Sequence, residues 1–474
     1  MDQIKGQLTS SLKENADKLK NILDINTNFD IIYKEMRIGG KDAGFFFIDG
    51  FVKDDVMQKL MSSFEGITED KMTETAEEFS KQWISYVEVD MENEIPNLIR
   101  SILSGVVTLL IEGYDKALEI DCRTYPMRGV EEPEKDRVMR GSRDGFVETV
   151  VFNTALIRRR IRNPELSMEI TSVGKSSKTD IVISYMKDRV DQSFLQNLKE
   201  RIQNIQIDSL TMNQQSLAEC LYKRSWFNPF PKFKYTERPD TASASLLEGN
   251  IVVLIDNSPS AMILPTSVFD IIEEADDYYF PPITGTYLRF SRFLITFLTL
   301  ILTPTWLLLM KNPQWIPQWL DFIKPVEEIQ VPLVLQLLIL EFAVDGLRLA
   351  AVNTPNMLST PLSVVAGLVL GDYAVNSGWF NSESMLYMAF VVLANYSQPS
   401  FELGFALKFM RMLTLVLTSL FSIYGYIGGF IFTICSIAFN KTISGKSYIY
   451  PIIPFNLKQF LRRFVRISLP KTEK

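Results

Sequence analysis

From Phe293 to Met310 the chain runs 18 residues without a charge, bounded by Arg289 and Arg292 on one side and Lys311 on the other. That approaches the roughly 20 apolar residues that span a bilayer as a helix, and it divides the sequence in two. Residues 1–280 hold 34 Lys+Arg against 47 Asp+Glu, a net of -13, whereas residues 281–474 hold 15 against 9, a net of +6. The mean hydropathy of +0.07 is therefore an average over an acidic, water-compatible half and an apolar one. An acidic balance argues against nucleic acid as a partner, because phosphate binding draws on Lys and Arg. The amino terminus has no apolar signal-peptide core, so the first half is expected in the cytoplasm.

A second run, Met412–Phe439, has 28 uncharged residues, enough for one tilted helix or two joined segments. Between the runs lie Val331–Val352, Leu362–Val375 and Ser384–Tyr396. Each is too short or too polar to face lipid alone, so protein must shield it. A transmembrane domain of four to six spans or half-spans is expected over 281–440. A basic cytoplasmic tail follows over 441–474, since Asn440–Lys474 carries eight Lys+Arg and one Glu. Both ends on one side require an even number of crossings. Phe455–Ile467 reads either as an amphipathic basic helix on anionic headgroups or as a solvated anchor.

Glu341, Asp345 and Arg348 fall at i, i+4 and i+7 in an otherwise apolar segment, on one face of a helix. Ionisable groups at membrane depth cost several kcal/mol unless paired or wetted, so they face a partner, a cavity or a pore. Two readings follow: an ion pathway, or a structural Asp345–Arg348 pair with Glu341 near the interface. Asp372, Glu402, Lys408 and Arg411 raise the same question at helix ends. GxxxG spacings at Gly367/Gly371 and Gly425/Gly429 suit close helix packing.

The first half alternates strands and helices: FFFIDG at 45–50 as strand, VKDDVMQKLMSSF at 52–64 as helix and VVTLLIEG at 106–113 as strand. Residues 105–120 align without gaps with 249–264 at an offset of 144, each as strand, acidic turn, strand. The expected fold class is α/β, two similar subdomains, followed by an α-helical polytopic membrane domain. The boundaries read as an N-terminal helix (1–27), subdomain 1 (28–127), a charged connector helix (128–163) and subdomain 2 (164–280). Arg158, Arg159, Arg160 and Arg162 in the connector are expected to pair with the domain's carboxylates rather than bind phosphate.

Catalytic patterns are missing. With no histidine there is no Ser-His-Asp arrangement, imidazole zinc site or histidine base. Cys122, Cys220 and Cys435 are too far apart in sequence for a CxxC metal pair. Both GKS triplets, at 174–176 and 445–447, lack the leading glycine of a phosphate loop, with Glu169 and Asn440 in its place. No cofactor or metal is expected, and the chain reads as a non-enzyme. Glu131, Glu132, Asp276 and Asp277 read as solvated loop carboxylates.

Several motifs in order carry a resemblance over nearly the whole chain: RGSRDGFVET at 140–149 (Arg140, Gly141, Arg143, Gly145, Phe146), NTALIRRRI at 153–161, NPFPKFKYTERPD at 228–240 (Glu237, Arg238, Pro239), LLEGNIVVLIDNSP at 246–259 and DDYY at 276–279. The sequence resembles the A subunits of spore germinant receptors. DGFVKDDVM at 49–57, TYPMRGVEEPEKDRVMRG at 124–141 and NYSQPSFELGFALKFMRML at 395–413 are most similar to one sporulation branch of that family. The resemblance implies a multi-pass protein of the spore inner membrane acting in germination. It further implies a homo-oligomer, a pentamer, that conducts ions when germination is triggered. Its implied partners are the lipid bilayer, a small SpoVAE-type membrane protein and germinant receptor subunits. Within that frame Glu341 and Asp345 are expected on a cation path, with Arg348 pairing Asp345. A nutrient receptor A subunit and a non-conducting scaffold are the alternatives.

Overall fold

The computed structural model describes residues 6–84, 88–124, 137–222, 227–326, 329–353, 367, 371 and 373–467. They form two compact units, Met1–Lys223 with Phe233–Pro265, and Arg224–Lys232 with Thr266–Lys474.

The first unit is α/β and contains the repeat. Its first copy runs α1 (Leu12–Leu23), β1 (Ile31–Ile38), β2 (Lys41–Ile48), α2 (Asp54–Glu65), α3 (Ala76–Trp83), β3 (Val89–Glu92), α4 (Ile95–Leu103), β4 (Val107–Ile111) and β5 (Ala117–Ile120). The five strands form one antiparallel sheet in the order β1-β2-β4-β5-β3. Gly39 and Gly40, at φ 53° and 77°, close the two-residue turn between Ile38 and Lys41, where positive φ at both positions matches the twist of the strands. Phe46 and Ile48 pack on one face with Leu12, Ala16, Leu19 and Leu23 of α1 and with α4. Phe45 packs on the other with Phe64 of α2 and Phe79 of α3. Apolar side chains on both faces of β2 thus reflect a sheet covered on both sides.

The second copy repeats the order: α5 (Val150–Arg160), β6 (Leu166–Val173), β7 (Thr179–Met186), α6 (Gln192–Gln203), α7 (Asn213–Leu221), β8 (Lys234–Thr236), α8 (Pro239–Leu247), β9 (Ile251–Ile255) and β10 (Ala261–Leu264). Its sheet is β6-β7-β9-β10-β8. The sequence offset of 144 is the spacing of β9 from β4 and of β10 from β5.

The arginine-rich connector contributes α5, which lies in the core. Ala155 packs into the first copy, while Val150, Leu156 and Ile157 pack into the second. Arg158, fully buried, donates through Nε to Asp30 at 2.9 Å and through Nη1 to the Leu166 carbonyl at 3.1 Å. Asn28 accepts from the Met168 amide at 2.8 Å and donates to the Leu23 carbonyl at 2.8 Å. The two copies are joined by a dry ion pair and a bridging amide. Arg160 pairs with Asp144 at 2.6 Å.

The second unit is helical: α9 (Val268–Ile272), α10 (Asp276–Tyr279), α11 (Pro282–Lys311), α12 (Leu333–Asn353), α13 (Ser382–Tyr396), α14 (Phe401–Phe421), α15 (Ile423–Ala438) and α16 (Leu457–Phe464). α11 and α14 are long and apolar enough to cross a membrane. At ~1.5 Å per residue the 30 residues of α11 exceed a hydrocarbon core of about 30 Å. The long uncharged run at 412–439 holds the second half of α14 and all of α15, antiparallel helices that part at Ser422, a non-glycine residue at φ 49°. Gly425 and Gly429 set their distance: a Cβ on Gly425 would strike the Leu417 carbonyl, and one on Gly429 would lie 2.7 Å from Thr414 Oγ1.

Cross-helix bonds give directions. Arg411 near the middle of α14 reaches the Thr299 carbonyl of α11, and Lys311 reaches the Ser419 carbonyl, so α11 and α14 run parallel. The Asn381 amide before α13 donates to Gln336 in the first turn of α12, and Arg348 lies by Tyr396, so α12 and α13 also run parallel. Leu362–Val375 lies largely outside the described residues, as do Glu131, Glu132 and Asp372.

Candidate functional site

Two carboxylates one turn apart on α12 meet two cations three residues apart on α14. Glu341, only 3% exposed, accepts from Arg411 Nε at 2.7 Å, with Arg411 Nη2 at 2.5 Å and Lys408 Nζ at 3.5 Å. Lys408 also donates to the Glu341 carbonyl at 3.0 Å and pairs with Asp345. Arg411 Nη1 donates to the Thr299 carbonyl at 3.0 Å, which ties in α11. Glu341, Lys408 and Arg411 are buried, whereas the Asp345 side chain is 30% exposed. The four formal charges cancel. In apolar surroundings charges persist when paired and hydrogen-bonded, and this quartet meets that requirement within one chain.

Arg348 departs from expectation. Asp345 is taken by Lys408, and the Arg348 guanidinium instead lies over two rings, 4.9 Å from the Tyr396 centroid and 5.1 Å from that of Phe405. A residue three positions along α12 lost to a lysine arriving from α14, which also satisfies Glu341. Glu341 is likewise enclosed rather than interfacial. Lys408 and Arg411, read from sequence as helix-end charges, are the neutralising half of the site. Their signal was a pair of cations three residues apart in an apolar helix.

A second charge cluster sits where α10 meets α11. Asp277 is fully buried and accepts from Arg289 Nε at 3.2 Å and Arg292 Nη1 at 3.0 Å, and Glu273 accepts from Arg289 Nη2 at 2.7 Å. This corrects the reading of Asp276 and Asp277 as solvated: both are buried. The partners of Asp277 lie 12 and 15 residues downstream, so the DDYY motif is an anchor for the root of α11. The basic tail joins the cluster. Arg463 of α16 pairs with Asp270 at 2.5 Å and Glu273 at 2.8 Å, and Phe464 stacks 4.8 Å from Phe293. Part of the tail's positive charge is thereby neutralised inside the protein, while Leu457, Leu461 and Val465 are exposed.

Of the glycine pairs, Gly425 and Gly429 hold α15 against α14, whereas a Cβ at Gly367 or Gly371 would meet nothing within 4 Å. The motif residues of the soluble unit meet each other. The Phe146 amide donates to the Glu237 carbonyl at 2.8 Å, and Arg238 donates to the Ser142 carbonyl at 3.0 Å while pairing with Asp240 at 2.6 Å. Gly145, Phe146, Arg238 and Pro239 are buried, while Arg140, Gly141 and Arg143 are exposed and Glu237 is half-buried. The motif is a seam between the loop before α5 and the start of α8.

The first copy also carries a polar cavity of about 410 Å³ between α4 and the β3–β5 edge, lined by Asp90, Arg100, Glu119, Asp121 and Arg123 among others. Asp90 and Glu119 are direct cross-strand neighbours. Burial pushes the Glu119 carboxyl above its ordinary range, and the charges of Glu92 and Asp90 add to this. Among the described residues no group of His, Cys, Asp and Glu is arranged to hold a metal ion.

Against known proteins, the family model described as Bacillus/Clostridium GerA spore germination protein matches residues 17–474. Stage V sporulation protein AF of Bacillus subtilis (strain 168) is 33% identical over 458 residues, covering 96% of this chain and 92% of that protein. Spore germination protein GerLA of Bacillus cereus is 27% identical over 476 residues, 99% of this chain and 94% of that one. Among solved structures, the N-terminal domain of the A subunit of the Bacillus megaterium spore germinant receptor GerK3 aligns with a TM-score of 0.43 at 24% identity, over 55% of this chain and 96% of that chain. The family match begins within α1 and runs to the end of the helical unit, and the chain belongs to the GerA spore germination protein family.

Proposed function

We propose that this protein is a subunit of a homo-oligomeric, pentameric channel of the spore inner membrane that releases monovalent cations during germination and so amplifies receptor signalling. The observation that carries the reading is the Glu341–Asp345–Lys408–Arg411 quartet. Two carboxylates at membrane depth are neutralised by two cations on a different helix, an arrangement that conducts nothing while closed and offers cation-selective carboxylates when α12 and α14 separate. Asp345, the partly exposed member, is the one from which opening begins. Exposed Phe342, Leu349 and Val352 on α12 suit packing against lipid or a second copy.

The parallel course of α12 and α13 suits an even number of crossings, with α11–α15 among them. That even number keeps the soluble unit and the basic tail on the cytoplasmic side. Exposed Trp315, Trp319 and Trp379 near the opposite end suit an interfacial belt. A small SpoVAE-type membrane protein is the proposed partner.

Replacing Glu341 and Asp345 together by Gln and Asn tests the proposal, with monovalent cation release followed during germination. Release should fall sharply with protein levels unchanged; normal release would sink the pathway. Flux through purified protein in liposomes separates a channel from a scaffold. Full-length similarity to GerLA favours, as second reading, a receptor A subunit working with B and C subunits, which neighbouring genes for both would support.

A further inference from the structure

The quartet leaves one cation over. Arg348 lies seven residues beyond Glu341 on α12, its Nε is buried, and that atom has no hydrogen-bond partner. Among the described residues no carboxylate pairs with it. Its neighbours are aromatic: Tyr396, the last residue of α13, and Phe405, in the second turn of α14. Stacking on two rings orients a guanidinium and offsets some of its lost hydration. It does not neutralise the charge.

The level of Arg348 is fixed by its surroundings. The turn between α13 and α14 is tied to α11 by Thr296 Oγ1 and Gln398 at 3.0 Å, four residues past Arg292. Arg348 therefore stands near the end of the bundle at which Arg289, Arg292 and Arg463 cluster. Leu349, the next residue of α12, and Phe401 and Phe409, one turn either side of Phe405 on α14, are 65%, 55% and 52% exposed, side chains suited to acyl chains rather than water. A planar fork of N–H donors at the boundary of an apolar surface matches a phosphodiester, which it binds through two parallel hydrogen bonds. The 50% exposed Tyr396 brings a phenol alongside.

We propose that Arg348, framed by Tyr396 and Phe405, binds the phosphate of an anionic phospholipid in the leaflet that faces the basic tail. The apolar surroundings select a lipid over free phosphate. The proposal rests on the membrane reading of α11–α15 and not on conduction, so the flux experiments and this one fail separately.

The test uses the full chain, purified in mild detergent, stripped of lipid and titrated with phosphatidylglycerol, phosphatidylcholine or inorganic phosphate, with bound lipid counted by native mass spectrometry. Arg348→Gln should weaken phosphatidylglycerol binding about tenfold, and Arg348→Lys, which keeps the charge but loses the fork, by about threefold. Phosphatidylcholine should bind more weakly than phosphatidylglycerol and lose less on substitution, and millimolar inorganic phosphate should not compete. Wild-type retention of phosphatidylglycerol by both variants would overturn the site. So would competition by inorganic phosphate, or a change in oligomer size on substitution with lipid binding unaltered, which would assign Arg348 to a second copy's carboxylate. Since Arg348→Lys preserves the charge and most of the aliphatic stem, a lipid change in that variant at an unchanged melting temperature separates binding from misfolding.

Discussion

The molecule buries charge in two ways, and they contrast. In the soluble unit Arg158 and Asp30 form a one-to-one pair, 0% and 1% exposed, with the remaining donor satisfied by a backbone carbonyl. In the helical unit Glu341 and Asp345 share Lys408 and Arg411, so one cation touches both carboxylates and one carboxylate is 30% exposed. The first arrangement has no second way to pair; the second has redundancy and an open side. A closed pair fixes geometry. A shared set can rearrange without leaving a bare charge, which is what a gate needs.

The contrast predicts a graded series. Arg158→Leu strands Asp30 in a dry core, and loss of one partner of a buried pair costs about 3–5 kcal/mol; urea unfolding of the full chain, read by proteolysis of the soluble unit, should show it. The double variant Asp30→Leu with Arg158→Leu should recover most of that loss, and failure to recover would mean that the pair does more than neutralise itself. Next, Glu341→Gln leaves Arg411 and Lys408 with one formal negative charge between them and should lower thermal stability by about 2–3 kcal/mol. Asp345→Asn should cost under about 1 kcal/mol, because that side chain is partly solvated and Lys408 keeps Glu341. Equal losses at 341 and 345 would erase the proposed asymmetry.

Smaller effects come from single titrating groups on either side. Lys232 is buried against Asn440 and the Lys441 carbonyl, and burial lowers its pKa to about 8. Folding then disfavours its charged form, so between pH 8 and the ordinary lysine value near 10.5 the unfolded chain binds more protons and stability rises with pH. Lys232→Met should abolish that rise in a melting series. Glu119 behaves oppositely. Its folded pKa is raised, so its penalty is absent at acid pH and fully present at neutral pH, and Glu119→Gln should raise the melting temperature at pH 7 but not at pH 4. A wild-type pH dependence retained by both variants would remove these groups from the account.

How much was legible follows from range. The strand–turn–strand repeat at offset 144 was readable because each hairpin is local, with apolar runs broken by a turn. The span at 293–310 was readable because absence of charge is a one-dimensional property. The break at Ser422 was not: neither proline nor glycine marks it, and the turn is imposed by α15 packing back on α14 through Gly425 and Gly429. The carboxylate face of α12 was visible from its spacing, but its partners lie 63 to 70 residues away on α14, and no local rule chooses between them and the nearby Arg348. Asp277 was misread for the same reason, since an acidic doublet looks solvated until its arginines arrive from α11.

The weld between the repeats has one more consequence. Two similar lobes joined by a strap are the usual makings of a clamshell that shuts on its cargo. Here Asp30 and Arg158 come from opposite lobes and meet without water, so prising the lobes apart would bare a charge on each side. A molecule gripping either lobe therefore turns both together, and the duplicated region works as a lever rather than a jaw.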